Sequence, residues 1–243
     1  PKGQEGRVAT QAPMIDSYGR PIPAGKLEEF LALIPPEEKL VEVGPTIEAL
    51  RGVLAGIISK SPVFMLGETG TGKNAILRHL ARRYLAPLYR FNFGRDTDDS
   101  QLYGHFEIET YKDAQGQTRR RVAIKDGRMI EALLYGGWAL WDEVNLASES
   151  FMIAQNDIVQ QIRSGYVTIK IGGKTRTIKV HENFRLFATG NPEGYADRHV
   201  LERSFGDRWL KVAMREFEPH EQTAILKEVE PGISEETAVR LPQ

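Results

Sequence analysis

A glycine-rich stretch that ends in a lysine, "GETGTGK" from Gly67 to Lys73, holds the residues best suited to chemistry. Gly67, four further residues, Gly72 and Lys73 have the spacing of a phosphate-binding loop, or P-loop. Its glycines let backbone N–H groups converge on phosphate oxygens, and the following helix N-terminus adds partial positive charge. Lys73 would neutralise the β- and γ-phosphates of a nucleotide. An ordinary glycine-rich turn between a strand and a helix is the alternative.

Asn74 stands directly after the lysine, where the motif has a serine or threonine. An amide oxygen can bind a hard cation, but its side chain is longer than a hydroxyl and Mg²⁺ demands near-ideal octahedral geometry. We therefore expect nucleotide binding to persist, with metal affinity and turnover reduced. The predicted nucleotide-binding residues are Gly67, Glu68, Thr69, Gly70, Thr71, Gly72, Lys73, Asn74 and Ala75.

Two adjacent carboxylates, Asp142 and Glu143, follow the apolar run "WALW". A magnesium nucleotide site needs such a pair at a strand end: Asp142 would hold Mg²⁺, directly or through water, and Glu143 would polarise the attacking water. Asn74 is the second candidate metal ligand. A strand end capped by solvated acids is the alternative, and the P-loop about 70 residues upstream argues against it.

Three further polar residues complete the candidate site. Asn191 ends the apolar run "FRLFATGN" and could hydrogen-bond the γ-phosphate or the attacking water, although Asn-Pro is also a turn signal. Arg203 and Arg208, in "DRHVLERSFGDRW", could form structural ion pairs. They could instead reach the γ-phosphate of a neighbouring subunit, a role worth about 10³–10⁵ in rate in other NTPases.

The elements that must position these residues alternate between apolar strands and periodic helices. This order predicts an α/β fold, a three-layer αβα P-loop NTPase with a central parallel sheet. Alternating apolar patterns also predict two β-hairpin insertions, one at about 104–127 and one at about 165–182 with a turn at Gly172-Gly173. Residues 1–40 are rich in Pro and Gly and are predicted to be an extended arm with one short helix at 26–33.

Composition sets wider limits on the 243-residue chain. Lys plus Arg (32) nearly balances Asp plus Glu (33), so bulk charge does not favour a polyanionic partner. The absence of cysteine excludes disulfides and thiolate metal sites. With neither a membrane-spanning apolar run nor a signal-peptide core, the expectation is a cytoplasmic protein with no membrane partner.

The order of "GETGTGKN", "WALWDEVNLAS", "FRLFATGNP" and "VLERSFGDRWLKV" resembles that of AAA+ ATPases, in particular the midasin- and dynein-related group that includes MoxR-like proteins. The resemblance covers roughly 43–228. It implies an ATPase core over 41–228, after an N-terminal extension at 1–40. The two hairpins correspond to the helix-2 insert and the pre-sensor-1 hairpin. It also implies that 229–243 begins a truncated lid domain that is otherwise largely absent.

The same resemblance implies roles for the candidate residues. Asp142 and Glu143 correspond to the Walker B pair, Asn191 to sensor 1, and Arg208, or less surely Arg203, to the arginine finger. The segment "VEVGPTIEAL" resembles the one that touches the adenine. The implied cofactors are ATP, with ADP as product, and Mg²⁺, and the implied neighbours are protomers of a homo-hexameric ring.

Three functions remain open at this point. The first is an ATPase that uses hydrolysis in a ring to remodel a protein substrate or adaptor. The second is a nucleotide-dependent binding switch with weak turnover because of Asn74. The third is a motor, which could use GTP, of a nucleic-acid-processing complex. The hairpin cations, Arg119, Arg120, Arg121 and Lys125 on the first and Lys170, Lys174, Arg176 and Lys179 on the second, would suit an acidic protein or a phosphate backbone. Neither hairpin interleaves aromatics with these cations, which disfavours nucleic acid.

Overall fold

A computed structural model of the chain describes residues 14–171, 173–191 and 208–232. Its central sheet has five parallel strands in the order β2-β5-β8-β1-β9. The helices are α1 Ala24–Leu31, α2 Gly44–Ser59, α3 Lys73–Arg83, α4 Asp99–Tyr103, α5 Arg128–Tyr135, α6 Glu149–Ser164 and α7 Pro219–Val229. The strands are β1 Val63–Leu66, β2 Leu88–Asn92, β3 Gly104–Lys112, β4 Thr118–Asp126, β5 Trp138–Asp142, β6 Tyr166–Ile171, β7 Lys174–Lys179, β8 Arg185–Gly190 and β9 Leu210–Ala213.

Two apolar clusters cover the two faces of the sheet, which confirms the predicted αβα layers. On one face, α2 and α3 pack on β1 and β5 through side chains such as Val53, Leu77 and Met65. On the other face, α5 and α6 pack with Trp141, Phe91 and the base of both hairpins. Strands that are covered on both sides are mainly apolar, and all five residues of β5, including Asp142, are buried.

The two predicted hairpins are both present. β3 pairs with β4 in antiparallel register, and Asp113 closes the turn by accepting a backbone hydrogen bond from Gln117 at 2.9 Å. β6 pairs with β7 in the same way, although Gly172 of its predicted turn lies outside the described residues. The first hairpin packs against the core near its base, through Ile124. In the second hairpin, β6 buries Val167, Ile169 and Ile171 in the core.

Polar side chains of the arm hold its backbone in place around Asp16. Asp16 accepts backbone hydrogen bonds from Tyr18 and Arg20, each at 2.9 Å, and the Arg20 guanidinium holds the pKa of Asp16 below its usual value even though burial opposes this. The predicted helix of the arm begins two residues early, at Ala24. α4 was not predicted; Asp98 caps it by accepting from the Ser100 N–H at 2.9 Å. Among the described residues, no helix is long and apolar enough to cross a bilayer.

Candidate functional site

The glycine loop lies where the sequence predicted it, between the end of β1 and the start of α3. Gly70 and Gly72 have φ values of +87° and +85°, a conformation that side chains with a Cβ rarely adopt. A Cβ on Gly67 would lie 2.7 Å from the carbonyl oxygen of Met214 on the neighbouring chain segment. Backbone conformation and close packing therefore both require glycine here, and the loop leaves open space above Gly70 and Gly72.

Lys73 begins α3 and folds its ammonium group over the loop. Its Nζ donates hydrogen bonds to the carbonyl oxygens of Gly67, at 2.5 Å, and Glu68, at 2.8 Å. Half-burial lowers the pKa of Lys73, and the nearby carboxylates of Asp142, Glu68 and Glu143 oppose that shift. The cation thus lies in the loop with acidic groups facing it across a cavity.

The acidic pair divides at the end of β5. The Asp142 side chain is buried, with 5% of its surface exposed. Glu143 is exposed, and its φ of +55° is unusual for a residue other than glycine. Backbone strain of this kind concentrates at functional sites. The Glu143 N–H donates to the hydroxyl of Thr189 at 3.2 Å, which fixes this turn against β8.

Asn191 follows β8, and β8 lies between β1 and β5 in the sheet. Its amide donates to the hydroxyl of Thr69 in the glycine loop at 2.8 Å, and its backbone N–H donates to the side chain of Asn145 at 3.2 Å. Because the carboxyl ends of parallel strands meet at one edge, Asn191 lies between the loop and the acids.

These groups surround one cavity of about 260 Å³. It is lined by Thr69, Gly70, Gly72, Lys73, Asn74, Ala75, Asp142, Glu143, Thr189, Gly190 and Asn191. A second cavity of about 670 Å³ shares Thr69 and Gly70 with it and extends to Glu68, Thr71 and the apolar Phe217, Ile225 and Leu226 near and on α7. None of the residues 41–50 lines either cavity, so the predicted adenine contact of that segment stays a prediction.

Arg208 is the one predicted site residue in the described chain that the fold places far from this cavity. It lies two residues before β9, and Leu210 pairs in parallel with Val63 at the start of β1. The glycine loop follows the opposite end of β1, about 13 Å further along at 3.3 Å per residue. Arg203 lies outside the described residues.

Three neighbouring residues that sequence reasoning missed hold the predicted ones. Arg90 and Thr189 both donate to the Asp142 carboxylate, and Asn145 holds the Asn191 backbone. Arg90 could have been noticed as the charged residue in the otherwise apolar or amide-bearing run "LYRFNF". Thr189 and Asn145 carry no signal of their own, because their partners come from strands that only the sheet order brings together.

The side chains do not offer Mg²⁺ a direct site as arranged. Asp142 Oδ2 accepts from the Asn74 amide at 2.9 Å and from Arg90 Nε at 2.8 Å, while Oδ1 accepts from the Thr189 hydroxyl. Asn74 Oδ1 is buried and has no hydrogen-bond partner among the described residues, but one amide oxygen does not make an octahedral site. No group of three acidic or histidine side chains in this part of the chain converges as a metal centre.

The parallel sheet, its helical layers and the glycine loop that leads into α3 define a P-loop NTPase fold. One solved structure, NtrX from Brucella abortus in complex with ADP, has a TM-score of 0.54 and 16% identity, over 89% of this chain and 46% of that chain. At this identity the similarity supports the fold alone.

The family model described as "AAA domain (dynein-related subfamily)" matches residues 62–209. The chain therefore belongs to the dynein-related subfamily of AAA domains, within the AAA+ ATPases, and the predicted likeness to midasin and MoxR-like proteins is confirmed.

The chain spans only part of the length of the relatives that it matches. Midasin from Giardia intestinalis is 28% identical over 70% of this chain, but that match spans 3% of midasin. Gas vesicle ATPase GvpN2 from Halobacterium salinarum is 25% identical over 81% of this chain and 59% of its own length. Aerobic cobaltochelatase subunit CobS from a Sinorhizobium species is 26% identical, over 72% and 52%.

Proposed function

We propose that the protein binds and hydrolyses ATP as one subunit of a ring, and that hydrolysis remodels a protein partner. The observation that carries this proposal is the single cavity in which the glycine loop, Lys73, Glu143 and Asn191 meet. The wider second cavity, with its apolar wall, extends from the same loop and would take a nucleoside. The cytoplasmic location that the sequence favours stays a prediction.

The proposed reaction is phosphoryl transfer from ATP to water. The loop amides and Lys73 would bind the phosphates and stabilise the charge that develops on them. Glu143, exposed and turned into the cavity, would accept a proton from the attacking water, which Asn191 would orient. Asp142 and Asn74, the predicted metal ligands, hydrogen-bond to each other, so a metal ion is given no step in the proposed reaction.

The position of Arg208 supports a shared site. The groups that would bind phosphate lie at the carboxyl edge of the sheet, where its parallel strands end. Arg208 lies at the amino edge, where the strands begin. An arginine at that edge would reach a nucleotide in another copy of the chain rather than in its own. A head-to-tail ring, in which each interface joins two different surfaces, provides this contact. We propose a homo-hexamer.

The first hairpin favours a protein partner over nucleic acid. Three of its cations are neutralised by pairs within the hairpin, Arg119 with Asp113, Arg121 with Glu109, and Lys125 with Glu107. Since phosphate binding needs unneutralised cations, this face of the hairpin suits nucleic acid poorly.

The opposite face of the same hairpin carries an apolar cross-strand pair, Ile108 and Val122. The two residues are 70% and 69% exposed. Exposed apolar pairs of this kind suit contact with protein. The motor of a nucleic-acid complex is therefore the weakest of the three functions.

A second candidate function, a nucleotide-dependent switch with weak turnover, is favoured by the arrangement around Asp142. Arg90, Asn74 and Thr189 already satisfy this carboxylate. Such a protein would bind ATP and ADP and change its contacts, but would release phosphate slowly.

Calorimetry with ATP, ADP and GTP tests nucleotide binding, using Lys73→Ala and the exposed Lys174→Ala as a matched control. We expect binding to be lost in Lys73→Ala alone, and binding that survives this substitution would overturn the proposal. Phosphate release measured against protein concentration then separates the candidates: a rate per chain that rises with concentration supports a ring ATPase. Tight binding with negligible release supports the switch, and preference for GTP with stimulation by DNA supports the nucleic-acid motor.

A further inference from the structure

An arginine that the sequence reading did not single out reaches the buried acid of the site. Arg90 lies in the middle of β2, the edge strand that pairs with β5. Its Nε and Nη2 donate to Asp142 Oδ2 at 2.8 and 2.5 Å. The Arg90 side chain is 56% exposed to solvent, whereas its partner Asp142 is almost fully buried.

The sheet register explains why the contact forms. Asn92 pairs with Asp142 and Arg90 pairs with Leu140, so Arg90 lies two residues before the acid on the neighbouring strand. Residues two apart on a strand share a face, and a diagonal neighbour is about 7–8 Å away, within reach of a long side chain. The contact therefore follows from regular strand geometry.

Asp142 has little capacity left for a cation. A carboxylate has about four lone-pair positions. Arg90 and Asn74 supply three donors to Oδ2, and Thr189 supplies one to Oδ1. The guanidinium also cancels the negative charge that would attract a divalent ion. Oδ1 keeps one open lone-pair position, but an ion bound there would lie beside the fixed positive charge of Arg90.

We propose that Arg90 competes with the divalent cation for Asp142, so that the nucleotide form the protein binds readily is the one without metal. This inference rests on nucleotide binding in the cavity described above. The glycine loop and Lys73 hold the phosphates without help from Asp142. Arg90 thus replaces, with a charge of the chain's own, the positive charge that the ion would bring to this acid.

The test compares the affinity for ADP in Mg²⁺ and in EDTA, by calorimetry, for the wild type, Arg90→Gln and Arg95→Gln. Arg95 is an exposed arginine just after the same strand and controls for the loss of one positive charge. We expect the wild type and Arg95→Gln to change less than about threefold on chelation. In Arg90→Gln, Mg²⁺ should tighten ADP binding by about tenfold or more, the effect of removing a charge-assisted contact that opposes the ion.

A direct metal readout accompanies the affinities. Mn²⁺, followed by electron paramagnetic resonance with ADP present, should bind Arg90→Gln more tightly than the wild type. Arg90→Lys keeps a cation on a similar stem and should behave like the wild type. Arg90→Met also removes the charge and keeps the proposal testable if Arg90→Gln does not fold. Asn74→Thr removes the amide donor to Asp142, supplies the hydroxyl that the motif has at this position, and should also increase the effect of Mg²⁺.

The outcomes separate this inference from the proposed function. If ADP binds neither with nor without Mg²⁺, nucleotide binding itself is wrong. If ADP binding to the wild type depends strongly on Mg²⁺, or if Arg90→Gln shows no more Mg²⁺ dependence than the wild type, competition by Arg90 is wrong while nucleotide binding stands.

Discussion

The two edges of the central sheet differ in chemistry. The carboxyl edge is polar: it gathers the glycine loop, Lys73, the two acids and Asn191 around a cavity. At the amino edge, the end of α2 packs closely on the first residues of β1 and β9, and a separate cavity of about 550 Å³, lined in part by Trp138, His181 and Arg185, lies where β5 and β8 begin. Arg208 is placed at this second edge.

Under the proposed function, nucleotide binding and the completion of hydrolysis depend on opposite edges of the sheet. In the proposed function, the carboxyl edge would bind phosphate through the glycine loop and Lys73, and the amino edge would present Arg208 to another copy. Substitutions at the two edges should therefore impair different contributions to the reaction. A mixture of the two kinds of variant should show whether these contributions come from different subunits.

The largest expected effect is at the amino edge. Arg208→Ala should lower ATP turnover by about 10³–10⁵ because it removes the cation offered to a neighbouring γ-phosphate. ATP affinity measured by calorimetry should stay unchanged, since the cradle is intact. Lys211→Ala, an exposed cation three residues later on β9, is the control. Wild-type turnover in Arg208→Ala would contradict the separation of the two edges.

The next effect is at the carboxyl edge. Glu143→Gln should lower turnover by about 10²–10⁴, the usual contribution of a positioned general base, and leave nucleotide binding in place. Phosphate release in single-turnover experiments measures the change. Glu149→Gln, an exposed acid at the start of α6, is the matched control.

A mixture of Arg208→Ala and Glu143→Gln tests whether the two edges meet across an interface between subunits. In a head-to-tail ring assembled at random from equal parts, about a quarter of the sites join an intact Glu143 to an intact Arg208. The mixture should regain that share of the wild-type rate. If it stays inactive although both variants assemble, the two residues do not meet across an interface.

A smaller effect tests the packing of the amino edge. Gly56 lies on α2 against β1, and a Cβ there would meet Val63 Cγ2 at 2.1 Å. Gly56→Ala should therefore lower the free energy of unfolding by about 1–3 kcal/mol, measured in urea. Gly25→Ala, on α1 with open space around it, should be neutral or raise stability by about 0.5–1 kcal/mol. Equal effects at both positions would contradict the close packing.

The smallest effect distinguishes the edges by pH. At the carboxyl edge, Arg215 makes two hydrogen bonds to Glu221 of α7, at 2.7 and 2.8 Å, and lowers the Glu221 pKa from 4.5 to about 2. This contribution to stability is complete above pH 4.5 and is lost as the pH falls toward 2. Urea titrations should find that Arg215→Gln flattens the pH dependence in this window, while Gly56→Ala leaves its slope unchanged.

The sequence was sufficient for the layers of the fold and for the main cavity residues. Both rest on local patterns: strands buried on both faces are apolar runs, and the glycine loop needs its residue types at fixed spacing. The Arg90 contact with Asp142 was out of reach, because it depends on which strand lies beside β5 and in which register. The same holds for Asn145 and Asn191, which are 46 residues apart along the chain.

The arm that precedes the core has a mechanical consequence for the second hairpin. The Ser17 N–H donates to the Leu134 carbonyl oxygen on α5 at 2.8 Å, and the Tyr18 hydroxyl accepts from the Lys179 N–H on β7 at 3.0 Å. The arm thus links α5 of the core to β7 of the second hairpin. Any movement of the second hairpin relative to α5 must strain or break these hydrogen bonds. The stiffness of the hairpin is therefore set partly by residues about 160 positions upstream.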